Sequence, residues 1–171
     1  GNLPKLSGEL IYFMLHGEDS DGSRFLGEES LFPVAIEAGQ VPVRGPGVVF
    51  AGCCWGSLTV NELASRTMSG RAVTPRTPEE SIALSFLQAG FQAFVGCTGS
   101  HYSPPPDENV WGGPMHLSFW QYLKGGEPPA NALFRAKLDY LRDLPHGLTD
   151  AEDIALEHKI LRQFTCLGLG W

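Results

Sequence analysis

Leu10 to Leu15 (LIYFML) is an uninterrupted apolar run of the length of a strand buried on both faces, as in a parallel sheet covered by helices. It stops at His16-Gly17 and gives way to a polar, glycine-bearing stretch, EDSDGSRFLGEES. For the short segment Leu31 to Ala38 the expectation is a helix, and Gln40 to Gly47 reads as a Pro/Gly-rich connection. Val48 to Ala51 forms a second buried strand, ending at Gly52-Cys53-Cys54-Trp55-Gly56, and Ser57 to Arg66 is expected to be helical. The next helix is well punctuated. Thr77 caps it, Pro78 takes the first helical position, Glu80 completes a capping box and Gly90 stops it, with Ile82, Ala83, Phe86 and Leu87 as the apolar face.

Phe91 to Val95 follows at once as a third strand, leading into Gly96-Cys97-Thr98-Gly99-Ser100-His101. A loop rich in Pro and Gly spans Ser103 to Pro114. Helices are predicted at about Met115 to Leu123, Ala130 to Leu144 and Ala151 to Arg162, the last with Thr149 and Glu152 as a capping box. The terminal FTCLGLGW reads as a short final strand, and no internal repeat is evident. Strands alternating with helices predict an α/β sandwich with a mainly parallel sheet flanked by helices. In such sheets reactive groups lie beyond the carboxyl ends of the strands, which selects the loops that begin at His16, Cys53 and Gly96.

Composition narrows the function classes. The 171 residues are 43% hydrophobic and 18% charged, which is globular and low in charge. A net charge of −7 is the wrong sign for binding a phosphate backbone, so nucleic acid is not an expected partner. No apolar run approaches the ~20 residues that span a bilayer, so no membrane partner is expected either. The start, Gly1-Asn2-Leu3-Pro4, lacks the marks of a secretory signal. The four cysteines, Cys53, Cys54, Cys97 and Cys166, lack both a disulfide framework and zinc-ligand spacing. A reducing, cytoplasmic setting is the expectation.

Two of the selected loops carry groups able to do covalent chemistry. A cysteine nucleophile needs a thiolate, a base or cation to maintain it, and donors for the developing oxyanion. Cys53 or Cys54 stands at a strand end, and His16 leaves the preceding strand in the same direction. The two meet if those strands are neighbours. Gly17 lets a carbonyl approach the backbone closely, and its amide can serve as an oxyanion donor.

IYFMLHG followed by VVFAGCCWGS resembles the His-Gly and Cys blocks of the caspase-like cysteine peptidases, which include caspases, legumains, separases, gingipains and CHAT-domain proteases. FLQAGFQAFVGCTG and GGPMHLSFWQYLKGGEPPANALFRAKLDYL are similar to the gingipain and CHAT pattern, and the resemblance spans about residues 10–171. It implies a caspase-like three-layer sandwich in a single domain over residues 1–171. The implied activity is that of a cysteine endopeptidase acting on protein or peptide substrates through an acyl-enzyme, without a cofactor and with activation by processing or a partner. His16 becomes the catalytic histidine, with the amides of Gly17 and Cys53 binding the oxyanion. The Cys-x-x-Gly pattern of legumains, separases and gingipains selects Cys53, and the caspase pattern Cys-x-Gly selects Cys54. Cys53 is favoured because the similarity is closest on the gingipain and CHAT side.

The resemblance also implies that the loop after the third strand, Cys97, Thr98, Gly99, Ser100 and His101, lines the pocket for the residue before the cut. Asp19, Asp21, Asp107 and Glu108 favour a basic residue there, with a small uncharged one as the alternative. Ala51 stands where metacaspases that cut after Arg or Lys carry an acid. In this family two strands usually precede the histidine strand, and only Gly1 to Gly8 lie before it here. The expectation is therefore a fragment or subunit, with a further chain or domain completing the sheet.

Other histidines read as structural: His116 as a packed residue, His158 on an apolar helical stripe, His146 in a turn. Cys97 and Cys166 also look like packing residues, and Trp55 either walls the cleft or packs. A rival reading takes Gly52-x-Cys54-x-Gly56 as the nucleophile elbow of a dienelactone-hydrolase-like α/β-hydrolase, with Cys54 as nucleophile. Another is a catalytically silent interaction domain on the same fold. A zinc hydrolase and a phosphate loop are disfavoured, since no His pair has i, i+4 spacing and the glycine-rich stretches lack the required lysine.

Overall fold

A computed structural model describes residues 10–168 apart from 29, 43–44, 46, 62–71, 102–111 and 145–149. Its elements in chain order are β1 (Leu10–Phe13), β2 (Arg24–Leu26), β3 (Val34–Glu37), β4 (Val48–Ala51), α1 (Ile82–Gln88), β5 (Ala93–Cys97), α2 (Gly113–Lys124), α3 (Pro129–Asp143), α4 (Ala151–Gln163) and β6 (Phe164–Gly168). Four strands form one sheet in the order β1-β4-β5-β6, and β2 and β3 form a separate hairpin. β1, β4 and β5 run parallel, in a register that sets Phe13 beside Ala51 and Ala51 beside Gly96. β6 closes the far side antiparallel to β5.

The central strands are buried on both faces because helices cover both. On one face Ile11, Phe13, Val49, Ala51 and Phe94 pack with Ile82, Ala83 and Phe86 of α1 and with Phe25 and Ile36 of the hairpin. On the other, Val48, Phe50, Val95 and Phe164 pack with Met115, Phe119, Ala132, Leu133, Ala136 and Ile160 of α2, α3 and α4. Side chains alternate between these two cores along each strand, as the period of two requires. The molecule is thus mixed α/β, with a mostly parallel four-stranded sheet between layers of helix. Among the described residues no helix is long and apolar enough to cross a membrane.

Several expectations are corrected. β1 is not covered on both faces: Ile11 and Phe13 are buried, whereas Leu10, Tyr12 and Met14 are 57%, 45% and 47% exposed. Among the described residues it is one of the two edge strands of the sheet, β6 being the other. Leu31 to Ala38 is not helical: Val34–Glu37 pairs with β2, and only a 3-10 turn, Ala38–Gln40, follows. Alternating Val34 and Ile36 favour an extended backbone, and the pairing partner Arg24–Leu26 hides inside a polar-looking loop. Ser57 to Asn61 is not helical either, with Val60 bridging Pro75; the rest of that expected helix lies outside the described residues.

The Thr77 punctuation encloses a 3-10 turn, Pro78–Glu80, in which Glu80 accepts a hydrogen bond from the Thr77 N–H at 2.9 Å. α1 then starts from its own cap, Ser81, whose Oγ accepts from Leu84 N–H. α4 is capped by the Asp150 carboxylate, which accepts from Glu152 and Asp153 N–H. Thr149, Asp107, Glu108 and His146 lie outside the described residues. His158 is exposed on α4 rather than in the core.

Candidate functional site

The parallel register puts His16 and Cys54 at matching places. Phe13 and Ala51 are paired, and each candidate stands three residues beyond its member of the pair, at the same end of neighbouring strands. Gly17 and Cys54 are in direct backbone contact. A Cβ on Gly17 would overlap the Cys54 carbonyl oxygen, so only glycine fits there. Among the described residues the Gly17 N–H makes no backbone hydrogen bond.

The hairpin fixes the histidine. His16 N–H donates to Leu26 O at 2.9 Å, and Leu26 N–H donates back to His16 O at 2.8 Å. The imidazole Nε2 lies 2.7 Å from Glu28 Oε2, and the ring meets Phe32 edge-on at a centroid distance of 5.0 Å. Both contacts come from the β2–β3 connection. Neither contact is legible in the sequence, because Glu28 stands among several loop acids and nothing in the local pattern marks the hairpin.

The two adjacent thiols differ sharply. Cys53 continues the inward alternation of Val49 and Ala51 and is 1% exposed. Its Sγ lies 3.8 Å from the Phe13 carbonyl, and burial pushes the thiol up to about 12. Cys54 points to the other side of the sheet end and is partly exposed. Its Sγ accepts the His101 N–H at 3.1 Å and lies 3.1 Å from the His101 carbonyl. The expectation that favoured Cys53 therefore meets an obstacle: its sulfur is shut in the core, while Cys54 alone of the pair reaches solvent. The turn after them is strained. Gly56 N–H closes onto Cys53 O, and Trp55 adopts a φ of 48°. A non-glycine residue there costs on the order of 1–3 kcal/mol, and such outliers cluster at functional sites.

The loop after β5 lies against Cys54, and two of its side chains turn inward. Cys97 is fully buried, raised to about 11 chiefly by desolvation, and its Sγ donates to Gly99 O at 2.7 Å. His101 is also buried, 6% exposed, so its ring faces the interior and not the open side of the loop. Thr98 is exposed, tied through N–H and Oγ1 to Gln163 O, and Gly99 O receives the Trp55 N–H at 2.8 Å. Ser100 Oγ accepts from Lys159 Nζ at 2.7 Å.

Packed against His101 is a second buried histidine, His116. The rings of His101 and His116 lie 5.4 Å apart, and His116 Nδ1 is 3.1 Å from the Tyr12 hydroxyl. Burial pushes His101 down to about 4, helped by the charge of Lys159, and His116 to about 3, helped by His101. Both rings are neutral near pH 7. Cys166 is raised to about 11 by desolvation.

The loop acids on the His16 side are engaged. Glu18 accepts from Arg24 Nε at 2.9 Å, and Asp21 lies 3.2 Å from the same nitrogen. Partial burial pulls Asp21 upward, but hydrogen bonds from Ser23 and the charges of Arg24 and Arg76 hold it below the usual carboxylate value. Among the described residues no group of three or more His, Cys, Asp or Glu is placed to hold a metal ion. In comparisons with protein-family models, curated proteins and solved structures, nothing matches this chain.

Proposed function

We propose that the chain is a caspase-like cysteine endopeptidase whose nucleophile is Cys54 and whose base is His16. The observation that carries this reading is the matched placement of the two residues beyond the paired Phe13 and Ala51, with Gly17 against the Cys54 carbonyl. Cys53 then serves as a core residue and not as the nucleophile. The fit is to the Cys-x-Gly pattern through Cys54-Trp55-Gly56.

In the reaction the Cys54 proton passes to His16, and the thiolate attacks the scissile carbonyl carbon. The amides of Gly17 and of the nucleophile receive the oxyanion. Collapse breaks the C–N bond, the imidazolium gives its proton to the leaving amine, and a thioester remains. Water then gives a proton to His16 as its oxygen attacks the thioester, and the Cys54 thiolate leaves. The His101 amide, donating to Sγ, favours the thiolate throughout. The exposed surface of Thr98 and the backbone of Gly99 and Ser100 border the residue before the cut.

The elbow alternative needs a helix directly after the nucleophile, and residues 57–61 are not helical. The edge strand supports a further partner, a strand from another segment or chain laid along β1 beside Leu10, Tyr12 and Met14. A peptide-library cleavage assay tests the central proposal. Cleavage is expected to vanish in Cys54→Ala and His16→Ala and to persist in Cys53→Ala. Loss in Cys53→Ala with persistence in Cys54→Ala would overturn it, and no cleavage by any form would favour the silent interaction domain.

A further inference from the structure

We infer that Glu28 is a positioning residue for His16, the third member of a Cys54–His16–Glu28 relay; this rests on the dyad proposed above. The 2.7 Å contact joins His16 Nε2 to a carboxylate oxygen. An ionised carboxylate only accepts hydrogen bonds, so Nε2 must carry the proton and donate it. In the neutral ring that leaves Nδ1 bare, and Nδ1 is the nitrogen able to take the Cys54 proton. The carboxylate thus selects the tautomer that can act as a base.

The surroundings hold this geometry. The His16 backbone is bonded in both directions to Leu26, two residues before Glu28, so ring and carboxylate ride on one hairpin. Phe32, from the far side of the same connection, presses edge-on against the ring. It does so with a φ of 44°, a conformation that non-glycine residues seldom hold. Two residues with strained backbone, Phe32 and Trp55, therefore adjoin the members of the dyad. Glu28 itself is well exposed, so its substitution leaves the core untouched.

The test combines a spectroscopic and a chemical readout on the whole chain. Nitrogen-15 spectra of the His16 ring are expected to show protonation at Nε2 in the native protein and a tautomer mixture in Glu28→Gln, with Glu28→Asp restoring most of the native signature. Because exposed ion pairs couple modestly, alkylation of Cys54 by iodoacetamide should slow only about threefold in Glu28→Gln. Ring signals identical in native and Glu28→Gln protein would overturn the inference. So would unchanged alkylation in Glu28→Gln alongside clear slowing in His16→Ala. If His16→Ala itself leaves alkylation unchanged, the dyad fails, and that result stands apart from any effect of Glu28.

Discussion

At the residue scale the decisive contrast is between two neighbours, Cys53 and Cys54. Sequence order alone could not separate them, since both patterns of cysteine and glycine were present. The separation comes from strand alternation, which carries Cys53 into the core with Val49 and Ala51 and leaves Cys54 on the opposite side. Gly17 shows the reverse case, in which the residue type was legible beforehand. Its expected role, letting a carbonyl come close, is met by the Cys54 carbonyl. Gly17→Ala must push these two backbones apart. A displacement of about 1 Å at a reacting centre costs on the order of 100-fold in rate. Activity assays should show a loss of that size with the circular dichroism spectrum retained, and native-like activity in Gly17→Ala would refute the close contact.

At the element scale, the parallel strands and the four helices were legible because each has strong periodicity or continuous burial. Val48–Ala51 carries its whole pattern in four apolar residues, and α2 to α4 match their expected spans within a few residues. The hairpin was not legible. Its strands are short, one begins with a charged residue, and their pairing is set by the return of the chain past His16 rather than by local preference. The edge position of β1 was equally hidden, because a run of six apolar residues reads the same whether covered or not. Phe50 is the best probe of the central element. Its ring lies within 5.0 Å of both His116 and Phe119 and within 5.6 Å of Phe164, joining β4 to α2 and β6. Phe50→Ala should cost about 3–5 kcal/mol in denaturant unfolding, and a cost below about 1 kcal/mol would contradict that packing.

At the scale of the whole molecule, the two buried histidines make stability depend on acid. Their folded values, about 4 for His101 and about 3 for His116, lie below the ~6.5 of an unfolded histidine. Above ~6.5 both states are neutral, and the pair imposes no penalty. As pH falls from ~6.5 toward 4 the unfolded chain takes up protons that the folded chain refuses, so stability drops by about 1.4 kcal/mol per pH unit for each ring. Unfolding midpoints should therefore fall steadily between pH 6.5 and 4.5, a range in which most carboxylates stay ionised. Flat midpoints across that range would show that the rings are not sealed as the structure has them. Because His101 also donates its amide to Cys54, the same acid loss should reach the site.

The most direct measurement is alkylation of the native protein by iodoacetamide at neutral pH, with each thiol followed by peptide mapping in the mass spectrometer. Cys54 is expected to react first, at a rate cut at least tenfold by His16→Ala. Cys53 and Cys97, both buried, should stay unlabelled until the chain is unfolded, and Cys166, half-buried with its thiol raised to about 11, should react more slowly than Cys54. Labelling of Cys53 at the rate of Cys54, or a Cys54 rate indifferent to His16, would contradict the account.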